Sequence, residues 1–83
     1  MPYFVYLLLC ADNSLYTGIT TDTTRRLSEH NHSPKGAKYT RMRRPVTLVY
    51  SEIHPNRSEA QVAEARIKKL SHSQKLALIK DNI

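Results

Sequence analysis

Arg26 and His30 stand four residues apart in Thr24-Arg25-Arg26-Leu27-Ser28-Glu29-His30. On a helix that spacing puts both side chains on one face. Arginine offers a permanent charge and a planar fork of donors that matches a phosphate. Histidine donates, accepts or carries a proton near neutral pH. The two suit a phosphate-facing pair; a solvated helix face is the plain alternative. Glu64 stands out more sharply. The segment Ser58–Leu70 carries an apolar stripe of Ala60, Ala63, Ile67 and Leu70. At about 100° per residue, Glu64 falls within that stripe, between Ala60 and Ile67. A carboxylate there costs several kcal/mol unless it is paired or bound to a cation. It reads either as an edge position paired to an arginine or as a metal ligand.

Tyr6 and Tyr16 lie in two consecutive apolar segments. Whether they meet depends on the turn between them. A two-residue loop at Asp12-Asn13 sets Tyr16 opposite Leu9 and puts the phenols on opposite faces. A three-residue loop, Asp12-Asn13-Ser14, sets Tyr16 opposite Cys10 and gathers Tyr6, Tyr16 and Gly18 on one face. Half-buried sheet aromatics would look the same. His30 and His32 are two apart, His54 and His72 are isolated, and Cys10 sits in an apolar run, so no zinc spacing is present. There is no glycine-rich phosphate loop and no nucleophile elbow.

These side chains need elements to hold them. Tyr3–Cys10 is a nearly unbroken apolar run, the mark of a strand buried on both faces. A turn at Ala11–Ser14 and a second strand, Leu15–Thr20, make it a hairpin. Gly18 weakens that strand unless something must approach its backbone closely. Asp22 caps a helix from about Thr23 to Asn31. Residues 32–45 read as a loop, with a helical turn around Ala37 to Arg41. Val46–Ile53 has strand composition. Ser58 and Gln61 form a capping box for a second helix to about Leu70. A third helix begins near Ser73 with Leu76, Ile79 and Ile83 as its apolar stripe. The expected fold is α/β of the α+β kind, ordered β-β-α-β-α-α, with a three-stranded, mainly antiparallel sheet flanked by three helices.

The chain has 83 residues, 9.6 kDa, a net charge of +6 and a pI near 9.8. That length suits one domain over residues 1–83, burying roughly 60–65% of its unfolded surface. The longest apolar run, Val5–Ala11, is far short of the roughly 20 residues of a membrane span. No basic residue precedes it, so it does not read as a signal peptide. With one cysteine there is no internal disulfide, which fits a cytoplasmic protein. The charge is uneven. Residues 1–24 carry no Lys or Arg, whereas residues 25–44 carry seven of the thirteen and a single acid, Glu29. Such a stretch fits a polyanionic partner, nucleic acid ahead of an anionic membrane, or a solvated loop.

Taken in chain order, these pieces resemble the GIY-YIG nuclease family in its small stand-alone bacterial, UPF0213-like form. Phe4-Val5-Tyr6 stands at the first signature and Tyr16-Thr17-Gly18 at the second. Arg26 and His30 match the family's Arg-x-x-x-His helix, Ser58–Lys68 its metal-site helix, and Lys35–Arg41 a segment of the small branch. The likeness covers essentially the whole chain. Phe4-Val5 replaces Gly-Ile, Thr17 replaces Ile, and an asparagine that larger members carry after the metal helix has no counterpart.

The resemblance implies phosphodiester hydrolysis with one divalent metal, Mg²⁺ or Mn²⁺. Glu64 would be its ligand, and Arg26 would neutralise charge on the phosphoryl oxygens. Tyr6 or Tyr16 would help deprotonate the attacking water, with its pKa lowered by the metal or by Arg26. His30 would bond one tyrosine or relay the proton. Gly18 would admit the substrate backbone. Lys35, Lys38, Arg41, Arg43 and Arg44 would hold the phosphate chain with little sequence choice. The expected partner is nucleic acid, DNA ahead of RNA, with no membrane, no small-molecule cofactor, and a monomer or weak dimer. The alternative is a nucleic-acid-binding module on the same fold with weak or no turnover.

Overall fold

The computed structural model describes residues 1–81. The order along the chain is β1 (Tyr3–Leu9), β2 (Leu15–Thr20), α1 (Thr23–His32), α2 (Lys38–Arg41), β3 (Thr47–His54), α3 (Arg57–Lys68) and α4 (His72–Asp81). It is an α+β fold on a three-stranded sheet with strand order β2-β1-β3, every pairing antiparallel. The one element beyond the three expected helices is α2, the single helical turn at the end of the basic loop. Among the described residues no helix is long and apolar enough to cross a membrane.

The central strand explains the rest. β1 is apolar on both sides because both sides are covered, and Val5, Tyr6, Leu7 and Leu8 are all buried. Odd residues face one layer: Val5 and Leu7 pack with Ala60, Ala63 and Ile67 of α3, and Leu78 and Ile79 of α4 close the edge. Even residues face the other: Tyr6, Leu8 and Cys10 pack with Val46, Tyr16, Leu27 and Leu48. Side-chain alternation along β1 thus divides the molecule into a helix-covered apolar layer and an aromatic layer under α1.

The hairpin takes neither of the expected registers. Tyr6 lies opposite Gly18, and Tyr16 opposite Leu8 rather than Leu9 or Cys10. Cys10 N–H donates to Ser14 O and Asn13 N–H to Cys10 O, both at 2.9 Å, so the three loop residues are Ala11, Asp12 and Asn13. Asn13 takes the left-handed backbone such a loop requires, with φ 67°. Asp12 fixes the turn by accepting from Ser14 N–H at 3.0 Å and from Arg43 Nε at 3.0 Å. The shift from Cys10 to Leu8 is two residues, so parity is kept and Tyr6, Tyr16 and Gly18 share a face.

Helix α1 starts at the expected cap: Asp22 accepts from Arg25 N–H at 3.0 Å. Helix α3 starts two residues before the expected Ser58. Its cap is Asn56, whose side chain accepts from Glu59 N–H at 2.9 Å, with Glu59 at the third helical position. A true capping box occurs one helix later. Ser71 Oγ accepts from Gln74 N–H at 3.1 Å and Gln74 Oε1 from Ser71 N–H at 2.8 Å, so α4 begins ahead of Ser73. The expected stripe residue Ile83 lies outside the described residues. Asn31 ties α1 to the sheet by holding both the N–H and the C=O of Val46, at 2.7 and 2.9 Å.

Candidate active site

The aromatic layer gathers most of the candidate residues. Tyr6 Oη lies 2.7 Å from His30 Nε2. The Tyr16 ring packs against both, its centroid 6.4 Å from Tyr6 and 5.2 Å from His30. Tyr6 is 2% exposed and His30 not at all, while Tyr16 is half-buried and meets the surface. The i, i+4 spacing on α1 sends Arg26 to the same place, where its guanidinium stands beside the Tyr6 phenol. Arg26 Nη1 is also anchored, donating to Glu29 Oε1 at 2.9 Å and to the Lys35 carbonyl at 2.9 Å.

Burial sets the protonation of the central pair. It pushes the Tyr6 phenol up to about 12, more than the adjacent Arg26 pulls it down. This is opposite to the lowering expected of a base, and the Arg26 charge alone does not supply it. Burial also holds His30 down to about 4, and the Arg26 charge acts in the same sense. Near neutral pH the pair is therefore an uncharged phenol against an uncharged imidazole.

Gly18 has a use inside the protein. A β-carbon there would lie 2.5 Å from Tyr6 Oη and 2.7 Å from Tyr6 Cζ. The group that comes close to the strand on that side is the Tyr6 phenol, which lies across it.

Glu64 reaches this region from the other layer. Its helix buries Ala60, Ala63 and Ile67, and Glu64 sits half-buried beside that stripe, a flanking position rather than a central one. Its partner is Lys68, one turn on, at 3.4 Å, and not an arginine. Its charge is felt at Tyr6, whose pKa it helps to raise. Among the described residues no hydrogen bond joins Glu64 to Tyr6, Tyr16, Arg26 or His30. Nor does any group of three or more His, Cys, Asp or Glu converge as a metal site. His54, expected to be isolated, pairs with Glu52 on β3.

The basic segment divides. Lys35, Lys38 and Arg41 are exposed. Arg43 and Arg44, expected on the nucleic acid, are spent within the protein. Arg43 donates to Asp12 and to the Tyr39 carbonyl, each at 3.0 Å, and its guanidinium lies 3.8 Å over the Tyr39 ring. Arg44 ties down the end of α1, donating from Nε to the His30 carbonyl and from Nη2 to those of Glu29 and Ser33. Both arginines still add to the local positive field, but Nε and Nη1 of Arg43 and Nε and Nη2 of Arg44 are taken by acceptors of the protein itself.

Two residues of the Lys35–Arg41 segment that were not among the expected site residues complete the surroundings. Tyr39 stacks on Tyr16 with centroids 6.0 Å apart, so an aromatic wall runs from His30 to the surface under Arg43. Thr40, fully buried, places its hydroxyl 2.6 Å from His30 Nδ1. Thr40 is the one hydroxyl in Lys38–Arg41 besides the Tyr39 phenol, and no periodicity links it to a histidine ten residues earlier.

Comparison with known proteins gives concordant results. The GIY-YIG catalytic domain matches residues 2–77. A UPF0213 protein of Desulfotalea psychrophila is 58% identical over 78 residues, covering 94% of this chain and 71% of that one. The UPF0213 protein SH2523 of Staphylococcus haemolyticus is 51% identical over 79 residues, 95% of each. Among solved structures, the UPF0213 protein BH0048 of Bacillus halodurans aligns with TM-score 0.61 at 46% identity, over 96% of this chain and 84% of that one. Protein EF2693 of E. faecalis aligns with TM-score 0.67 at 48% identity, over 98% and 85%. A phenol–imidazole pair with an arginine on the neighbouring helix turn, on this fold and with this family match along nearly the whole sequence, makes the chain a member of the GIY-YIG family, a family of endonucleases.

Proposed function

We propose that this protein is a divalent-metal-dependent endonuclease that hydrolyses phosphodiester bonds in DNA with little sequence preference. The observation that carries the reading is the Tyr6–His30 pair. It is sealed from solvent yet bordered by Tyr16 and Arg26, and it lies next to the loop that exposes Lys35, Lys38 and Arg41. Structural tyrosines do not need an arginine and a buried histidine beside them. Exposed cations one loop away suit the phosphates flanking a scissile bond.

Each residue has a distinct part. The exposed lysines and Arg41 hold the phosphate chain outside the centre. Arg26, kept in place by Glu29 and the Lys35 carbonyl, faces the phosphoryl oxygens and neutralises charge that builds on them. Tyr16, on the solvent side, helps seat the attacking water. Tyr6 would take the water's proton as its own hydroxyl hydrogen passes to His30 Nε2, which would leave a neutral phenol, an imidazolium and a hydroxide to attack phosphorus. A cation brought near lowers a phenol's pKa, and Arg26 already acts in that direction. The donor chemistry fits a hard cation such as Mg²⁺ or Mn²⁺. Glu64 offers one carboxylate, and such ions take one or two carboxylates with water and substrate oxygens making up the rest. Bound there, the metal would polarise the phosphate and stabilise the leaving oxygen. The protein would act in the cytoplasm, as a monomer or weak dimer.

The test is nicking of supercoiled plasmid in Mg²⁺, Mn²⁺ and EDTA by wild type, Glu64→Gln and Arg26→Ala. The expected outcome is metal-dependent nicking that falls by about 100-fold or more in both variants while DNA binding changes far less. Equal nicking by all three proteins would refute the reading. The Glu64–Lys68 pair favours a second one, a DNA-binding module in which that carboxylate is only a surface partner. It predicts salt-sensitive binding with no nicking above the Glu64→Gln control.

A further inference from the structure

The Thr40 hydroxyl sits between two groups. It lies 2.9 Å from the Ala37 carbonyl, to which it donates, and 2.6 Å from His30 Nδ1. A hydroxyl has one hydrogen to give. With that hydrogen on Ala37, the short contact to the ring requires His30 Nδ1 to be the donor. The opposite end of the imidazole gives the same answer independently. Tyr6 Oη is buried, its hydrogen needs an acceptor, and Arg26 beside it can only donate. Among the described residues the acceptor within reach is His30 Nε2, at 2.7 Å. One weaker contact points the other way: Ala37 N–H lies 3.4 Å from Nδ1. At that length it is marginal beside contacts of 2.6 and 2.7 Å.

We infer that Thr40 is a positioning residue for the nuclease chemistry: it holds His30 in the tautomer with hydrogen on Nδ1, so that bare Nε2 takes the Tyr6 hydroxyl hydrogen. The lone pairs on Tyr6 Oη are then turned away from the imidazole. The line runs Tyr6, His30, Thr40, Ala37 carbonyl, each group donating to the next. It ends on α2, the turn that closes the basic loop. The role in turnover rests on the nuclease reading above; the tautomer does not.

The experiment measures the two separately. Nitrogen-15 NMR of the full chain reads which ring nitrogen of His30 carries hydrogen, in wild type, Thr40→Ser and Thr40→Val, from pH 8 to 5. Plasmid nicking in Mg²⁺ is run on the same three proteins. Wild type and Thr40→Ser should show hydrogen on Nδ1 and bare Nε2. Thr40→Val should shift toward hydrogen on Nε2 and nick about 10- to 100-fold more slowly, with Thr40→Ser restoring most of the rate. Hydrogen on Nε2 in wild type overturns the inference. So does an unchanged tautomer in Thr40→Val, or a changed one with undiminished nicking. Should Thr40→Val fail to fold, wild type and Thr40→Ser still decide the tautomer. Absence of nicking by wild type would defeat the nuclease reading and the turnover role with it, while the NMR result would still decide the tautomer.

Discussion

Gly18→Ala is the most direct probe of the Tyr6–His30 pair, because it acts from the backbone and leaves every polar group in place. The added methyl carbon would lie 2.5 Å from Tyr6 Oη, 2.7 Å from Tyr6 Cζ and 3.1 Å from Tyr16 Cε2. Comfortable contacts begin near 3.5 Å, so the phenol must retreat by about 1 Å. Tyr6 is 2% exposed, so the retreat has to be taken up by its neighbours. A displacement of that size moves Tyr6 Oη out of register with His30 Nε2, at present 2.7 Å away. Over-packing of this kind costs about 1–3 kcal/mol of stability. A misplacement of about 1 Å at a reacting group costs about 100-fold in rate. Urea unfolding measures the first, and nicking rates under conditions where the variant is fully folded measure the second. The reasoning is refuted if Gly18→Ala nicks at the wild-type rate while the His30 NMR signals report an intact bond to Tyr6.

Four more outcomes follow. His30, held to about 4 against an ordinary 6.5, stays neutral in the folded chain while the unfolded chain takes up a proton. Its contribution is complete above pH 6.5 and is lost as pH falls toward 4, at up to about 1.4 kcal/mol per pH unit; urea unfolding at pH 7 and pH 5, with an NMR titration of the ring, checks the slope and its sign. Thr17→Val should be neutral or stabilising by about 1 kcal/mol, since the Thr17 hydroxyl is buried without a partner among the described residues; a thermal melt showing marked destabilisation would contradict this. Arg44→Ala should cost about 1–3 kcal/mol of stability by freeing the α1 carbonyls, whereas Lys38→Ala should leave stability alone and flatten the salt dependence of DNA binding by about one unit of slope. Melting curves and binding titrations across salt concentrations separate the two effects.

The sequence carried the parts of this fold that depend on pattern. The double-sided apolar run Tyr3–Cys10 requires a central strand, the Asp22 cap marks the start of α1, and spacing four puts Arg26 and His30 on one helix face. It carried less where one residue of slippage matters. Several turn-forming residues between Cys10 and Leu15 allow more than one loop, and the positive φ at Asn13 selects among them. Asn56, Ser58 and Ser71 can all cap, and only the packing of α3 and α4 decides which do. The arginines were least legible. Arg41 and Arg44 are alike in type and neighbourhood, yet one is exposed and the other is folded back on α1. Nothing local separates them, because Arg44 is claimed by carbonyls eleven to fifteen residues earlier. Thr40 was invisible for the same reason, its partner being a long-range neighbour.

The loop after α1 is fastened at several points. A β-carbon at Gly36 would come within 2.7 Å of the Glu29 carbonyl oxygen and 2.9 Å of His30 Cα, so this stretch of chain lies flat on the helix. The Arg26 bond to the Lys35 carbonyl and the three Arg44 bonds pin it on either side. The loop has no slack to take up. If Lys35 and Lys38 hold a nucleic acid as proposed, a pull on them would be borne by the helix turn that carries His30, and load outside would reach the imidazole inside.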